Sequence, residues 1–104
     1  MKTFTRKDVA RRVAKLLNAN FNSTEKIVEE IFRSMHQILA EAENEVRIEI
    51  RGLGVFEVKK TNPKPRARNP KTGENVYIPA HTKIHFKAGK TLNKVLRKPL
   101  DTVS

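Results

Sequence analysis

The chain has 104 residues, with 22 Lys and Arg against 11 Asp and Glu, and it contains no cysteine. A chain of this length normally forms one domain. The lack of cysteine excludes disulfides and thiolate metal sites, and no stretch approaches the ~18 apolar residues of a membrane span. The net charge of +11 favours a polyanionic partner. We expect a cytoplasmic protein without a secretion signal or a membrane segment.

Two helices are predicted in the first half of the chain. Thr5-Arg6-Lys7-Asp8 has the form of a capping box, and an amphipathic helix follows it. A second capping signal, Asn22-Ser23-Thr24-Glu25, begins a longer helix that we expect to reach about Glu43. Its apolar residues at helical spacing are Ile27, Val28, Ile31, Phe32, Met35, Ile38, Leu39 and Ala42.

The apolar stripe of the second helix is wide for so small a protein. Without its charged central stretch and its tail, the chain has about eighty residues, a size at which a single-chain core is marginally stable. A core shared between two copies therefore fits better than a cofactor pocket. Residues 22–45 hold six Glu against two Lys or Arg, so we expect this helix to face away from a polyanion.

The second half of the chain reads as strands followed by a short helix. Val46–Ile50 alternates apolar and charged residues, and Arg51–Gly54 forms a turn into a second strand. Alternation resumes at Val76 and continues to Phe86, and a short helix opens after Gly89. The predicted fold is α+β: two N-terminal helices, a three-stranded antiparallel sheet with a long β-hairpin arm, and a short C-terminal helix.

The arm is the charged stretch between the second and third strands. Lys59 to Asn75 holds six Lys or Arg and one Glu, and Ala67 is its only aliphatic residue. Pro70 and Gly73 suit the tip, because proline fixes φ and glycine accepts a positive φ. An arm that buries nothing in its own protein needs another surface, and its charge indicates that this surface is anionic.

Three motifs in this order resemble the bacterial HU and integration host factor family: Arg51-Gly52-Leu53-Gly54-Val55-Phe56, Arg68-Asn69-Pro70-Lys71-Thr72-Gly73 and Phe86-Lys87-Ala88-Gly89-Lys90. The likeness covers about residues 3–98. The chain departs from the usual family pattern at Leu53, Ala67 and Asn93, and its tail extends beyond the usual end. The resemblance implies a single domain over 1–98 with an arm at about 59–76, a tail at 99–104, and an intertwined dimer that bends duplex DNA through the minor groove.

The resemblance and the charges together define the candidate residues. The DNA-binding arm comprises Lys59, Lys60, Lys64, Arg66, Arg68, Asn69, Pro70, Lys71 and Thr72, and Pro70 is the residue expected to intercalate. The candidates for flanking contacts to the DNA backbone are Arg51, Gly52, Gly54, Lys87, Lys90 and Lys94. Arg51 is equally well read as an exposed turn charge. The expected dimer core comprises Ile31, Phe32, Met35, Leu39, Leu53, Phe56 and Phe86.

Several alternatives stay open on the sequence. The DNA binding could have low sequence specificity or be site-selective as in host factors, and the partner subunit could be identical or a paralogue. A basic RNA-binding protein, or a structural dimer that docks on an acidic protein, is a further reading. Gly89-Lys90-Thr91 lacks the earlier glycine of a phosphate loop, because Ile84 occupies that place. We expect no enzyme activity, cofactor, metal site or small-molecule substrate.

Overall fold

The computed structural model of the protein describes residues 1–41 and 43–100. Three helices and five strands follow one another as α1 (Arg6–Leu17), α2 (Phe21–Ala40), β1 (Val46–Ile50), β2 (Gly54–Lys60), β3 (Lys64–Arg68), β4 (Asn75–Ile78), β5 (Thr82–Ala88) and α3 (Lys90–Leu96). This order confirms the predicted α+β fold. Ala42 of the predicted apolar stripe and residues 101–104 of the predicted tail lie outside the described residues.

Both N-terminal helices begin at a side-chain cap. The capping box predicted at Thr5 is confirmed, because Asp8 Oδ2 accepts a hydrogen bond of 2.8 Å from Thr5 N and Thr5 Oγ1 accepts one of 3.4 Å from Asp8 N. The predicted start of the second helix is two residues too late. Asn20 is its N-cap, and the side-chain oxygen of Asn20 lies 3.2 Å from Ser23 N. An asparagine two residues earlier caps the free N–H groups of the first turn, and it adds Phe21 and Asn22 to the helix.

The helical unit, Met1–Glu41, buries few side chains. Its buried apolar residues are Ala10, Ala14 and Val28, and Thr24 is buried beside them. The wide stripe of α2 is mostly on the surface of the single chain, where Ile31 is 53% exposed and Phe32 40% exposed. Small residues therefore line the contact between α1 and α2, and the large apolar residues of α2 are left for another surface.

The second unit, which follows the helical unit in the chain, contains a three-stranded antiparallel sheet in the order β1–β2–β5. Because successive side chains alternate between faces, the register separates an apolar face from a charged one. The apolar face carries Val46, Ile48, Ile50, Phe56, Val58, Ile84 and Phe86, and the charged face carries Arg47, Glu49, Glu57, Lys59, Lys83, His85 and Lys87. The rings of Phe56 and Phe86 pair at 4.8 Å between centroids, yet Phe86 is 45% exposed in the single chain.

The two glycines of the β1–β2 turn have different roles. Gly52 has a φ of 84° and open space around a would-be Cβ. A Cβ at Gly54 would overlap the backbone oxygen of Lys87 and lie 2.9 Å from Phe86 Cζ. Gly54 is therefore needed both for its φ of 156° and because β5 approaches closely, whereas Gly52 is needed for its backbone conformation alone.

We expect Gly54→Ala to destabilise the protein by about 3 kcal/mol or more, because the β5 backbone must move to admit the methyl group. Gly52→Ala is the matched control, and it should cost only the ~1–2 kcal/mol of a left-handed backbone. Urea unfolding at one protein concentration measures both changes. Equal destabilisation by the two variants would contradict the close approach of β5 at Gly54.

Candidate nucleic-acid interface

The arm is a two-stranded sheet of its own, formed by β3 and β4. Ala67 pairs with Val76 and Arg68 pairs with Asn75. Between Lys64 and Ala67 the register shifts, because β3 has one residue more than β4 there. Pro65 lies at this shift, and a bulge is one of the places where a strand tolerates a residue without an N–H. Arg68, Asn75 and Tyr77 therefore share one face of the arm, and all three are exposed.

The arm tip is held by its own backbone and by two side chains. Asn69 N donates to Glu74 O at 2.7 Å, and Gly73 N donates to Asn69 O at 2.7 Å. Gly73 has the predicted positive φ, at 75°. The Asn69 side-chain oxygen accepts a hydrogen bond of 2.9 Å from Lys71 N, and Thr72 Oγ1 accepts one of 3.3 Å from Glu74 N. Pro70 is thus presented, exposed, on a closed turn.

These hydrogen bonds determine which polar atoms of Asn69 and Thr72 remain free to contact a ligand. The oxygen of the Asn69 amide shapes the tip as in an Asx turn. Its Nδ2 group donates no hydrogen bond within residues 1–41 and 43–100, so it remains a donor. The Thr72 hydroxyl accepts a backbone hydrogen bond and keeps its own proton to donate.

The predicted arm residues do not all lie in the arm sheet. Lys59 and Lys60 end β2 in the three-stranded sheet, where they pair with Lys83 and Thr82 of β5. The separate arm sheet extends from Lys64 to Ile78. The sequence does not show that these two lysines lie outside the arm sheet, because the charged composition continues without a break from β2 into the arm. What ends the sheet is a pair of short non-strand segments, 61–63 and 79–81.

Glu57 forms ion pairs with two lysines on the charged face of the sheet. Its carboxylate lies 3.0 Å from the Nζ of Lys59 and 3.3 Å from the Nζ of Lys87, and the residue is 8% exposed. Lys59 stands directly opposite Lys83, and the repulsion of this like-charge pair is offset at Lys59 by the Glu57 carboxylate. Lys83 and His85 were not among the predicted site residues. The alternation of side chains along β5 could have identified them, because it places residues 83, 85 and 87 on one face of the strand.

The hydrogen bond from Lys59 lowers the pKa of Glu57 most, and Lys87 lowers it further, against the opposing effect of burial. A carboxylate whose folded-state pKa is below its ordinary value of 4.5 stabilises the fold above that pH, and the contribution is lost as the pH falls through the folded pKa. The free energy of unfolding of the native protein should decrease as the pH falls below about 5. We expect a smaller decrease for the Glu57→Gln variant, because it has no carboxylate to protonate at this position. Urea titrations at several pH values measure it.

The matched control for this substitution is Glu74→Gln, because Glu74 forms no ion pair within the described part of the chain. The control should keep the acid-side slope of the native protein. A slope that Glu57→Gln leaves unchanged would show that the two lysines do not hold this carboxylate in solution.

The flanking residues lie around two shallow concavities beside α3. Arg51, Gly52, Gly54 and Lys90 share the rim of the first, together with Gly89 and Thr91. The second is lined by Ala88, Lys90, Asn93, Lys94 and Arg97. The structure thus brings five of the six predicted flanking residues together around Lys90, and it places Lys87 on the charged sheet face. Arg97, Asn93 and Thr91 join them without having been predicted as site residues.

Two further observations concern metal binding and membrane crossing. Within residues 1–41 and 43–100, no group of three or more His, Asp and Glu side chains is placed to hold a metal ion. In the same residues, no helix combines the length and the apolar character that a membrane crossing requires. The concentrated basic groups of the arm and of the Lys90 region remain the main chemical feature of this surface.

Comparison with known proteins gives consistent results. A family model described as bacterial DNA-binding protein matches residues 4–97. The integration host factor subunit beta of Glaesserella parasuis is 40% identical over 86 residues, which cover 83% of this chain and 88% of that protein. The integration host factor subunit alpha of Hydrogenovibrio crunogenus is 33% identical over 88 residues, 85% of this chain and 87% of that protein.

A solved structure shows the same fold. The HU protein of an Anabaena HU–DNA cocrystal structure superposes with a TM-score of 0.76 over 92% of this chain and 100% of its own, at 21% identity. The resemblance seen in the three sequence motifs is confirmed by these matches.

Proposed function

We propose a function for this chain, which belongs to the bacterial DNA-binding protein family that includes the integration host factor subunits. It is an architectural protein that binds duplex DNA through the minor groove with its arm, and that bends and compacts the DNA with low sequence specificity. The observation that carries this proposal is the arm. Within the described residues, its cations Lys64, Arg66, Arg68 and Lys71 form no ion pair.

The arm has the side chains that a minor groove requires. Arg66 and Arg68 are exposed on a two-stranded sheet, and arginine is attracted to the strong negative potential of a narrow, A·T-rich groove. The free Nδ2 donor of Asn69 suits groove acceptors, which A·T and T·A pairs both present. Binding of this kind reads the shape and charge of DNA more than its base sequence.

Pro70 is the proposed wedge. Minor-groove architectural proteins, this family among them, insert apolar side chains between base steps and kink the duplex. Pro70 is exposed at the tip and has neither an N–H group nor a flexible side chain. The cations supply affinity and the proline supplies the unstacking, so the two effects are separable by mutation.

The Lys90 region is proposed to hold the DNA backbone beside the arm. Arg51, Lys90 and Lys94 lie around adjoining concavities, and Gly52 on the rim of the first has open space around it. Lys87 and Lys59 extend the basic surface along the charged sheet face, with Glu57 holding both. A bent duplex that leaves the arm can meet these cations through its phosphates.

The active unit is proposed to be a dimer. Ile31, Phe32, Leu53 and Phe86 are each at least 40% exposed in the single chain, and Met35, Leu39 and Phe56 are half-buried. A second copy would cover these residues and present two arms to one duplex. A homodimer is the simplest assembly, and a heterodimer with a paralogue is the alternative. The proposed location is the cytoplasm, on the nucleoid, and the proposal includes no enzyme activity, cofactor or small-molecule substrate.

Bending tests the proposal directly. We expect Pro70→Ala to keep much of the affinity for DNA but to reduce the bend, because the variant loses the rigid wedge and keeps every cation. Unstacking one base step costs a few kcal/mol, so the bound duplex should remain straighter once the wedge is lost. Energy transfer between dyes at the two ends of a short duplex measures the bend, and titration of the same duplex gives the affinity.

Pro65→Ala is the matched control, because it removes a proline from the same arm but not from the tip. It should bend DNA as the native protein does. If Pro70→Ala bends DNA as sharply as the native protein, Pro70 only shapes the turn and the wedge mechanism is wrong.

A second candidate function is site-selective DNA bending. It is favoured by the 33% and 40% identity to host factor subunits. The arm offers few groups that distinguish bases, so we expect discrimination well below the ~10³-fold of specific DNA-binding proteins, with preference for nicked, gapped or pre-bent duplex. Competition among random intact duplexes separates the two functions. One motif bound about a thousandfold above the pool would favour the selective protein.

A further inference from the structure

We propose that Thr61 and His81 form a latch at the root of the arm, and that this latch sets the direction in which the arm leaves the sheet. The latch is a property of the free protein. Its effect on DNA binding rests on the proposed function, and the two parts are tested separately below.

The root of the arm is the place where both ladders stop. The pairing of β2 with β5 ends at Lys60 and Thr82, and the pairing of β3 with β4 begins at Lys64 and Ile78. Three residues on each side, 61–63 and 79–81, belong to neither sheet. Each segment contains a proline, which has no N–H to donate. The arm sheet is therefore not a simple continuation of the body sheet.

Thr61 and His81 bridge this gap. Thr61 N donates to His81 O at 2.7 Å. The Thr61 hydroxyl oxygen accepts from His81 N at 3.2 Å, and it lies 3.1 Å from His81 O, to which it can donate. His81 Nδ1 lies 3.2 Å from the same hydroxyl and 3.1 Å from Pro79 O. With its proton on Nδ1, the His81 ring donates to Pro79 O and braces the second segment.

One side chain thus accounts for most of the bridge. Within the described residues, every hydrogen bond between segments 61–63 and 79–81 joins Thr61 to His81. Only one of them, from Thr61 N to His81 O, is independent of the Thr61 hydroxyl. Removing the hydroxyl would leave a single backbone hydrogen bond between two proline-containing segments, which can then pivot.

A held arm matters because ordering it on binding is unfavourable. Segments that become fixed only in the complex lose conformational entropy at that moment, and pre-organisation reduces the loss. The latch should therefore raise DNA affinity without touching DNA. Its removal should leave the salt dependence of binding unchanged, because no cation is altered.

The chain carries a natural reporter of the arm's motion. Tyr77 is the only tyrosine and there is no tryptophan, and Tyr77 lies in β4 with 65% of its surface exposed. Its fluorescence anisotropy decay reports nanosecond motion of the arm in the full-length protein without DNA. We expect Thr61→Val, which keeps the shape but loses the hydroxyl, to increase the amplitude of the fast decay. Thr61→Ser should restore the native decay.

Thr82→Val is the matched control. Thr82 is the neighbouring β5 residue at the same end of the sheet, and its hydroxyl makes no hydrogen bond within residues 1–41 and 43–100. It should leave the decay unchanged. If Thr61→Val and Thr82→Val both give the native decay, the latch does not exist in solution. Circular dichroism verifies that each variant is folded.

The second test is DNA affinity at one salt concentration. Thr61→Val should bind a nicked duplex about fivefold more weakly, the factor that corresponds to one typical net hydrogen bond, with an unchanged salt slope. Increased arm motion with native affinity would overturn the link between the latch and binding. Failure of the native protein to bind DNA would overturn the proposed function, and the anisotropy result would still decide the latch.

Discussion

Placing one carboxylate on the apolar stripe of α2, by Ile31→Glu, should convert a folded dimer into an unfolded monomer. Ile31 is 53% exposed in the single chain, and it lies in a stripe that the proposed partner covers. An unpaired charge buried in that contact costs several kcal/mol. We therefore expect at least about a hundredfold weaker association, equivalent to ~3 kcal/mol.

The loss of the dimer should unfold the chain, because the described part of a single chain has only a small core. Among residues 1–41 and 43–100, the buried apolar residues are two alanines and two valines, Ala10, Ala14, Val28 and Val58. Many obligate dimers lack a stable folded monomer for this reason. Light scattering after gel filtration should give twice the chain mass of 11.9 kDa for the native protein, and circular dichroism should report the unfolding of the variant.

Gln37→Glu is the control, because it adds the same charge to the same helix at an exposed polar position. It should remain a folded dimer. A native protein that is monomeric and folded at micromolar concentration would contradict the shared core, and so would a folded, monomeric Ile31→Glu variant.

Neutralising the three cations nearest the arm tip should remove a large part of the salt dependence of DNA binding. Each phosphate neutralised by a protein cation contributes about −0.9 to the slope of log K against log[salt]. The triple variant Arg66→Gln, Arg68→Gln, Lys71→Gln should therefore have a slope smaller by about 2.7. Between 50 and 200 mM salt, the native protein should lose roughly 40-fold more affinity than the variant does.

The matched pair for this prediction is Lys71→Gln in the arm against Lys26→Gln on the acidic helix. Both remove one exposed positive charge, but only the first should flatten the slope, by about one unit. Filter binding or anisotropy titrations over a salt series give the slopes. Equal slopes for the two single variants would mean that net charge, and not the arm, produces the electrostatic affinity.

The tip of the arm shows how far local chemistry carries a prediction. Pro70 and Gly73 were expected to close a turn, and they do so, with Gly73 at a φ of 75°. The internal use of Asn69 was not foreseeable, because an amide that caps its own turn and one that faces a ligand look the same in sequence. Only the 2.9 Å contact from Lys71 N to the Asn69 oxygen distinguishes them.

Sequence alone predicts the order of helices and strands, the alternation of the sheet faces, and the cationic arm, because these depend on period and composition over neighbouring residues. It also predicts the first helix cap, whose partners are three residues apart. Only the folded structure brings together the basic residues around Lys90 and the two lysines that pair with Glu57, because these groups join residues from different elements. The boundary between body sheet and arm was decided in the same way. Thr61 and His81 are twenty residues apart and meet only because two ladders end beside them, a consequence of strand register that neither segment encodes alone.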